Sequence, residues 1–226
     1  MASADNPYAA LFADLTAPAT FRPGALELTR RAVSLAGLVP GMRVLDVGCG
    51  TGATVAFLEQ ELGLQAFGID PLVRPGTPET RLLSGRGEDL PFTEESFNAV
   101  LAECVLSATG KAAKVLKEMC RVLRPEGTAL ISDLYLREPG PGSFPAGTCP
   151  AGATTVDSWL KLFEEAGLRR LVWEDHTREL MGFIARGIMK TGSYREFLHS
   201  LFPCLRAEAE GGKYGYFLYL GRKEEP

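Results

Sequence analysis

Val44-Leu45-Asp46-Val47-Gly48-Cys49-Gly50-Thr51-Gly52 runs from an apolar, β-branched segment into a cluster of glycines. The first half reads as a strand over 43–47. The glycines read as a tight turn that opens a helix, because Val55, Leu58 and Leu62 follow at helical spacing. Glycines in such a turn let the backbone approach a ligand closely. Gly48, Gly50 and Ala53 also satisfy the dinucleotide pattern G-x-G-x-x-A, so NAD(P) has to be weighed.

Asp46 bears on that choice. It stands two residues before the first glycine, which puts a carboxylate near the ligand. A pyrophosphate there would be repelled by ~1–4 kcal/mol for charges ~4 Å apart. S-adenosylmethionine carries an ammonium and a sulfonium, which a carboxylate attracts. A carboxylate that only braces the loop is the other reading of Asp46. Asp70 lies 22 residues after Gly48, before Pro71, where an acid can accept both ribose hydroxyls. That role suits either cofactor, and a turn-forming Asp is its plainer reading.

Strand and helix patterns alternate beyond the loop. Further strands are expected at 66–69, 81–83, 99–102, 128–131, 171–173 and 214–220. Helices are expected on Ala25, Leu28, Ala32 and Leu35, on Val115, Met119 and Val122, and on Trp159, Phe163 and Ala166. Pro23 suits the first turn of the first of these. Thr155 can cap the last, with Gly167 as its stop. This order predicts a doubly wound α/β sheet, whose ligand sits at the carboxyl ends of the strands.

The chain resembles the class I S-adenosylmethionine-dependent methyltransferases, of the group that includes ubiquinone-biosynthesis and arsenite methyltransferases. The residues that carry the resemblance are the loop 44–52, Gly85-Arg86-Gly87-Glu88-Asp89-Leu90-Pro91-Phe92, Ser96-Phe97-Asn98-Ala99-Val100 and Leu123-Arg124-Pro125-Glu126-Gly127. It implies a Rossmann-like sheet of order 3-2-1-4-5-7-6 with strand seven antiparallel. It implies residues 1–40 as a leader and lid helix and 41–226 as the cofactor-binding domain. It also implies S-adenosylmethionine as cofactor, with Asp46, Gly48, Cys49, Gly50, Asp70, Gly87, Glu88 and Glu103 as its binding set. Gly48 and Gly50 would pass the methionine end, Asp70 the ribose, and Gly87 and Glu88 the adenine. Arg86 departs from the pattern: many relatives carry an acid there, and Arg86 cannot accept a bond from the adenine amino group.

Substrate-side candidates are Glu103, which could instead cap a helix, and Cys149. Residues 139–152 hold four prolines and four glycines, so a covering loop is expected rather than an element. Within it Cys149-Pro150-Ala151-Gly152-Ala153 resembles a C-x-x-G-A stretch of arsenite methyltransferases. The cysteine those enzymes usually carry just after the glycine loop is missing, and a loop-packing thiol is the plainer reading of Cys149. Cys204 is unanchored in this scheme. Cys49, Cys104 and Cys120 read as buried small hydrophobes, leaving Cys149 the most reachable thiol. Leu180, Met181, Phe183, Ile184, Ile188 and Met189 mark a helix apolar nearly all round, suited to core or to a wall facing an apolar acceptor. No acid–base histidine is expected, since His176 and His199 fall at no motif.

Composition narrows the partners. The 226 residues carry 24 Lys plus Arg against 28 Asp plus Glu, a net charge of −4, and the pI is near 5.4. That disfavours a phosphate-tracking surface, so no nucleic acid partner is expected. No apolar run reaches the ~20 residues of a bilayer span, and no apolar segment precedes Arg22, so neither membrane nor signal peptide is expected. Five cysteines without C-x-x-C give no disulfide framework and no metal site, and they fit a reducing cytoplasm. The overall reading is methyl transfer from S-adenosylmethionine to a small-molecule acceptor. An NAD(P)-dependent oxidoreductase and a catalytically silent cofactor-binding module are the alternatives.

Overall fold

The computed structural model describes residues 20–73, 81–140, 144, 146–201 and 212–224. Its elements in chain order are α1 (Ala25–Leu35), β1 (Arg43–Val47), α2 (Ala53–Gln60), β2 (Gln65–Asp70), β3 (Leu82–Ser84), β4 (Phe97–Glu103), α3 (Leu106–Thr109), α4 (Ala112–Val122), β5 (Leu123–Glu138), α5 (Cys149–Gly152), α6 (Val156–Glu165), β6 (Leu168–Asp175), α7 (Thr177–Thr191), α8 (Tyr194–Leu201) and β7 (Lys213–Lys223). The sheet order is β3-β2-β1-β4-β5-β7-β6, with β7 antiparallel to both neighbours and the remaining pairs parallel. The expected order is therefore the observed one.

Register fixes where the strands deliver their ends. Val47 pairs with Ile69 on one side and Ala102 on the other. The next residues, Gly48, Asp70 and Glu103, thus arrive together at the carboxyl edge. The central strands are apolar on both faces because both faces are covered. One face packs Val115, Met119, Trp159 and Phe163 of α4 and α6, and the other packs Leu28, Ala32, Val55 and Leu58 of α1 and α2. Trp159 satisfies its buried indole by donating to the Leu134 carbonyl at 3.1 Å.

The strand bounds differ from expectation for one physical reason, the length of the partner. β5 was expected over 128–131 but runs Leu123–Glu138, because β7 continues the ladder from Arg222 opposite Thr128 to Lys213 opposite Glu138. Asp133 is thus mid-strand rather than near a strand end. Residues 124–127 form an excursion between the paired Leu123 and Thr128, with Glu126 at φ 58°. β6 likewise extends from three expected residues to Leu168–Asp175 along β7. Pro23 lies ahead of α1, whose N-cap is Gly24, and Leu35 is exposed rather than part of the buried stripe. Thr155 caps α6 as expected, accepting from the Ser158 N–H at 3.3 Å. Residues 139–152 are not structureless throughout: α5 forms at their end. Cys204 and residues 1–19 of the 1–40 leader fall outside the described residues.

Candidate cofactor and acceptor site

A cavity of about 770 Å³ opens at the carboxyl edge of the sheet. One end is built by the glycine loop, the end of β2, residues 84–88 and the end of β4. The other end is built by Leu134, Phe144, α5, α7, α8 and Tyr214.

The loop's backbone is set by sterics. Gly48 has φ 76°, and a Cβ there would fall 2.3 Å from Val105 Cγ2, so only glycine fits. The Gly48 N–H donates to the Ile69 carbonyl at 2.7 Å, which ties the turn to β2. Gly50 donates its N–H to Asp70 Oδ2 at 3.1 Å, and Leu72 donates to Asp70 Oδ1 at 2.7 Å. Burial pushes the Asp70 carboxyl up, while those two N–H groups pull it down. Each Asp70 oxygen keeps acceptor capacity on the cavity wall, which suits a vicinal diol.

Not every expected site residue reaches the cavity. Gly48, Cys49, Gly50, Asp70, Gly87, Glu88, Glu103 and Cys149 all line it. Asp46 is not part of the wall: it is 3% exposed, inside β1, and burial and the negative Glu103 drive its carboxyl well above the usual range. Glu103, at the end of β4, is the neighbouring carboxylate that lines the cavity. Glu88 is neither a solvated acid nor unpaired, since Lys111 Nζ lies 3.2 Å from it. Burial opposes its charge, but its own backbone N–H and Lys111 hold its carboxyl below the ordinary value. Burial, with Asp46 and Asp70 nearby, keeps Cys49 a protonated thiol.

Arg22 was read only as part of the leader, yet it occupies the centre of the cofactor end. Its Nη2 lies 2.7 Å from Glu103 Oε2 and donates to Thr29 Oγ1 at 2.6 Å and Thr54 Oγ1 at 3.1 Å. Thr29 in turn donates to Glu103 Oε1 at 2.8 Å. Arg22 Nε is buried without a hydrogen-bond partner among the described residues. A buried N–H left so costs ~1–3 kcal/mol, which an anionic ligand group in the cavity would recover. No local pattern marks this arginine, because its charge partner Glu103 and its partner Thr54 come from distant segments. Here the residues present fit a cofactor with an α-amino acid end and a ribose.

Asp133 was also overlooked. A charged residue inside the apolar run of β5 was the available signal. It is fully buried, with its pKa pushed up to about 6 by burial against the hydrogen bonds of Ser107 and Leu134. Both the Ser107 N–H, at 3.0 Å, and the Ser107 hydroxyl bond to it. Beside it Cys149 donates its thiol to the Cys104 carbonyl at 3.1 Å, and Cys104 Sγ lies 3.3 Å from the Tyr216 hydroxyl. The order of reach expected of these thiols is reversed. Cys149 is buried, whereas Cys104 is partly exposed at φ 58°, because the packing of α5 onto α3 turns Cys149 inward. The α7 helix serves as wall and core together: Leu180, Phe183 and Ile184 line the cavity, Leu180 also packs into the buried core with Ile184 against it, and Met181 and Met189 face outward.

A methyltransferase-domain family profile matches residues 45–131. A Mycobacterium ulcerans protein named "Probable phthiotriol/phenolphthiotriol dimycocerosates methyltransferase 2" is 30% identical over 202 residues, covering 84% of this chain and 70% of that protein. An arsenite methyltransferase of Halobacterium salinarum is 30% identical over 152 residues, 59% of this chain and 39% of its own length. The chain spans about half or less of the length of that relative and several others it matches. Among solved structures, Haemonchus contortus phosphoethanolamine N-methyltransferase 2 in complex with S-adenosyl-L-methionine superposes with a TM-score of 0.69 at 17% identity, covering 91% of this chain and 54% of that one. Among the described residues no helix is long and apolar enough to cross a membrane. The glycine loop, the strand order and the match along most of the Mycobacterium relative agree, and the chain belongs to the class I S-adenosylmethionine-dependent methyltransferases.

Proposed function

We propose that this protein transfers the methyl group of S-adenosylmethionine to a small, largely apolar acceptor. The carrying observation is that one cavity joins the charged cofactor end at Arg22, Asp70 and Glu103 to a wall of Phe144, Phe183, Phe197 and Tyr214. S-adenosylmethionine supplies a methyl already activated on a sulfonium, so the protein's work is binding and alignment. Glu103 offers a carboxylate to the ammonium, and Arg22 an N–H to the carboxylate. Asp70 accepts from the ribose hydroxyls, and Glu88 stands on the adenine side. The aromatic wall excludes water and orients an apolar acceptor by shape.

No histidine lies on the cavity wall among the described residues, so the acceptor most compatible with the site is soft or already anionic. Neither nucleic acid nor membrane is proposed as a partner, in keeping with the net charge of −4. Cytoplasmic residence is proposed on the reduced thiols of Cys49, Cys104, Cys120 and Cys149.

Calorimetry with S-adenosylhomocysteine and NADH tests the cofactor, and transfer of labelled methyl into an extract of apolar metabolites tests catalysis. Binding of S-adenosylhomocysteine without NADH binding, and label in a low-mass product, are expected. Micromolar NADH binding with none for S-adenosylhomocysteine would overturn the cofactor reading. Cofactor binding with no labelled product from any fraction would leave a silent module.

A further inference from the structure

Cys104, Asp133 and Cys149 come from three separate segments, so no spacing in the sequence marks them as a set. In the fold their Sγ and carboxylate atoms all lie within 4.8 Å of one another. Cys104 and Cys149 line the cavity, while Asp133 is fully buried behind them and is not part of the wall. Three donors at the base and open space in front is the arrangement of a cation site that keeps one coordination position for a substrate.

The set is held from several sides. Gly152 packs against α3 so closely that a Cβ would fall 1.9 Å from the Ser107 carbonyl oxygen. That approach seats α5 and brings Cys149 against Cys104. Ser107 is also the residue that binds Asp133 through its N–H at 3.0 Å. One short segment therefore positions the acid and the second thiol together. Tyr216 donates to Ser132 at 3.0 Å, so the Cys104 thiol is the donor in its 3.3 Å contact with Tyr216. A thiolate at Cys104 would reverse that bond and accept from Tyr216.

We propose that Cys104, Cys149 and Asp133 form a binding site for a thiophilic divalent cation of the zinc type, with its fourth position facing the acceptor cavity. Metal–sulfur distances of ~2.3 Å and metal–oxygen distances of ~2.0–2.2 Å place tetrahedral donors roughly 3.5–3.8 Å apart. The side chains thus need to close by about 1 Å from the observed limit of 4.8 Å, within reach of rotation about χ1. On binding, the cation displaces one proton from each thiol to solvent, and Cys149 gives up its bond to the Cys104 carbonyl. Three anionic donors around a dication leave one net negative charge. The buried Arg22 guanidinium, which interacts electrostatically with Cys104, opposes that charge. In the open position the cation would hold a thiol or similar soft acceptor as its anion, the acceptor's proton passing to solvent through the open cavity, a role no histidine on the wall supplies. What the cation does rests on the proposed methyl transfer, whereas its binding does not.

The test is titration of the full, reduced chain with Zn²⁺ and Cd²⁺ against a competing chelator, without cofactor, following the ultraviolet absorption of cadmium–thiolate bonds. One equivalent should bind with that absorption. Cys104→Ser and Cys149→Ser should each weaken binding by ~10-fold or more, while Cys120→Ser leaves it unchanged. Circular dichroism and S-adenosylhomocysteine binding on the same samples identify a variant that has merely misfolded. In that case Cys104→Ala and Cys149→Ala, which demand less of the packing, take its place. The site is refuted by no stoichiometric binding, or by binding that survives both cysteine substitutions. Uptake of arsenite through the same two thiols, with no uptake of Zn²⁺ or Cd²⁺, would refute the cation and make the ligand a trivalent metalloid. Loss of S-adenosylhomocysteine binding with intact cadmium binding would count against the proposed function alone.

Discussion

Arg22 and Glu103 form a buried ion pair, Nη2 to Oε2 at 2.7 Å, on the wall where a cofactor's amino acid end would lie. The residue just ahead of α1 is thereby fastened to the end of the central strand β4. Burying two charges is costly, and removing one partner leaves the other uncompensated. Arg22→Leu should lower unfolding stability by ~3–5 kcal/mol in urea titrations. It should also weaken S-adenosylmethionine binding. A variant as stable as the parent would mean the pair contributes nothing net.

Asp70 is bound by two backbone N–H groups yet keeps acceptor capacity toward the cavity. Asp70→Ala should lose ~2–5 kcal/mol of cofactor affinity, since charge-assisted bonds of ~1.5–3 kcal/mol each disappear. The sheet should persist, because the residue closes a strand rather than filling the core. Calorimetry with S-adenosylhomocysteine reads the loss. A folded variant of unchanged affinity would reduce Asp70 to a turn residue.

Glu174 on β6 receives a two-pronged bond from Arg31 of α1, at 2.7 and 2.6 Å, and a contact from His176 at 2.9 Å. The bond from Arg31 outweighs the opposing effect of burial and, with His176, holds its carboxyl at about 2. A carboxyl depressed in the folded state stabilises above its unfolded value of ~4.3. That contribution fades as pH falls through about 2. Melting curves of the parent and Glu174→Gln should differ at neutral pH and converge toward pH 2. A gap that is constant with pH would show that packing, not charge, is at work.

Gly152 touches the Ser107 carbonyl with no room for a methyl. Gly152→Ala should cost ~1–3 kcal/mol by overpacking and push α5 outward. Cys149, buried in the parent, should become exposed, so thiol labelling of Cys149 in the variant should outpace that in the parent. Equal labelling rates would mean that α5 is not set by this contact.

Most of the sheet was legible because its strands are short apolar runs punctuated by glycine and proline, and the glycine loop could be placed from its own residues. The strand ends were not, since β5 and β6 extend only as far as β7 pairs with them, and pairing is a tertiary fact. Asp70 and Glu103 could be placed on the cavity wall from the sequence because they close the apolar runs of β2 and β4. Arg22 was missed because its role depends on partners brought together from α1, α2 and β4, two of them, Thr54 and Glu103, remote in sequence. The Cys104–Asp133–Cys149 set was invisible for the same reason. Asp46 was placed by its position before the glycines, and the fold buries it inside β1, off the cavity wall.

The two ends of the cavity come from different stretches of chain. Residues up to Glu103 build nearly all of the cofactor end, and Leu134 onward builds the acceptor wall. The long β5–β7 ladder is the frame on which α7 and α8 hang, and it meets the cofactor-end strands only where β5 pairs with β4, its other edge being β6. Selection for a new acceptor can therefore work on α7 and α8 while the nucleoside grip is left untouched. Libraries confined to Leu180, Phe183, Ile184 and Phe197 are where altered substrate preference should emerge.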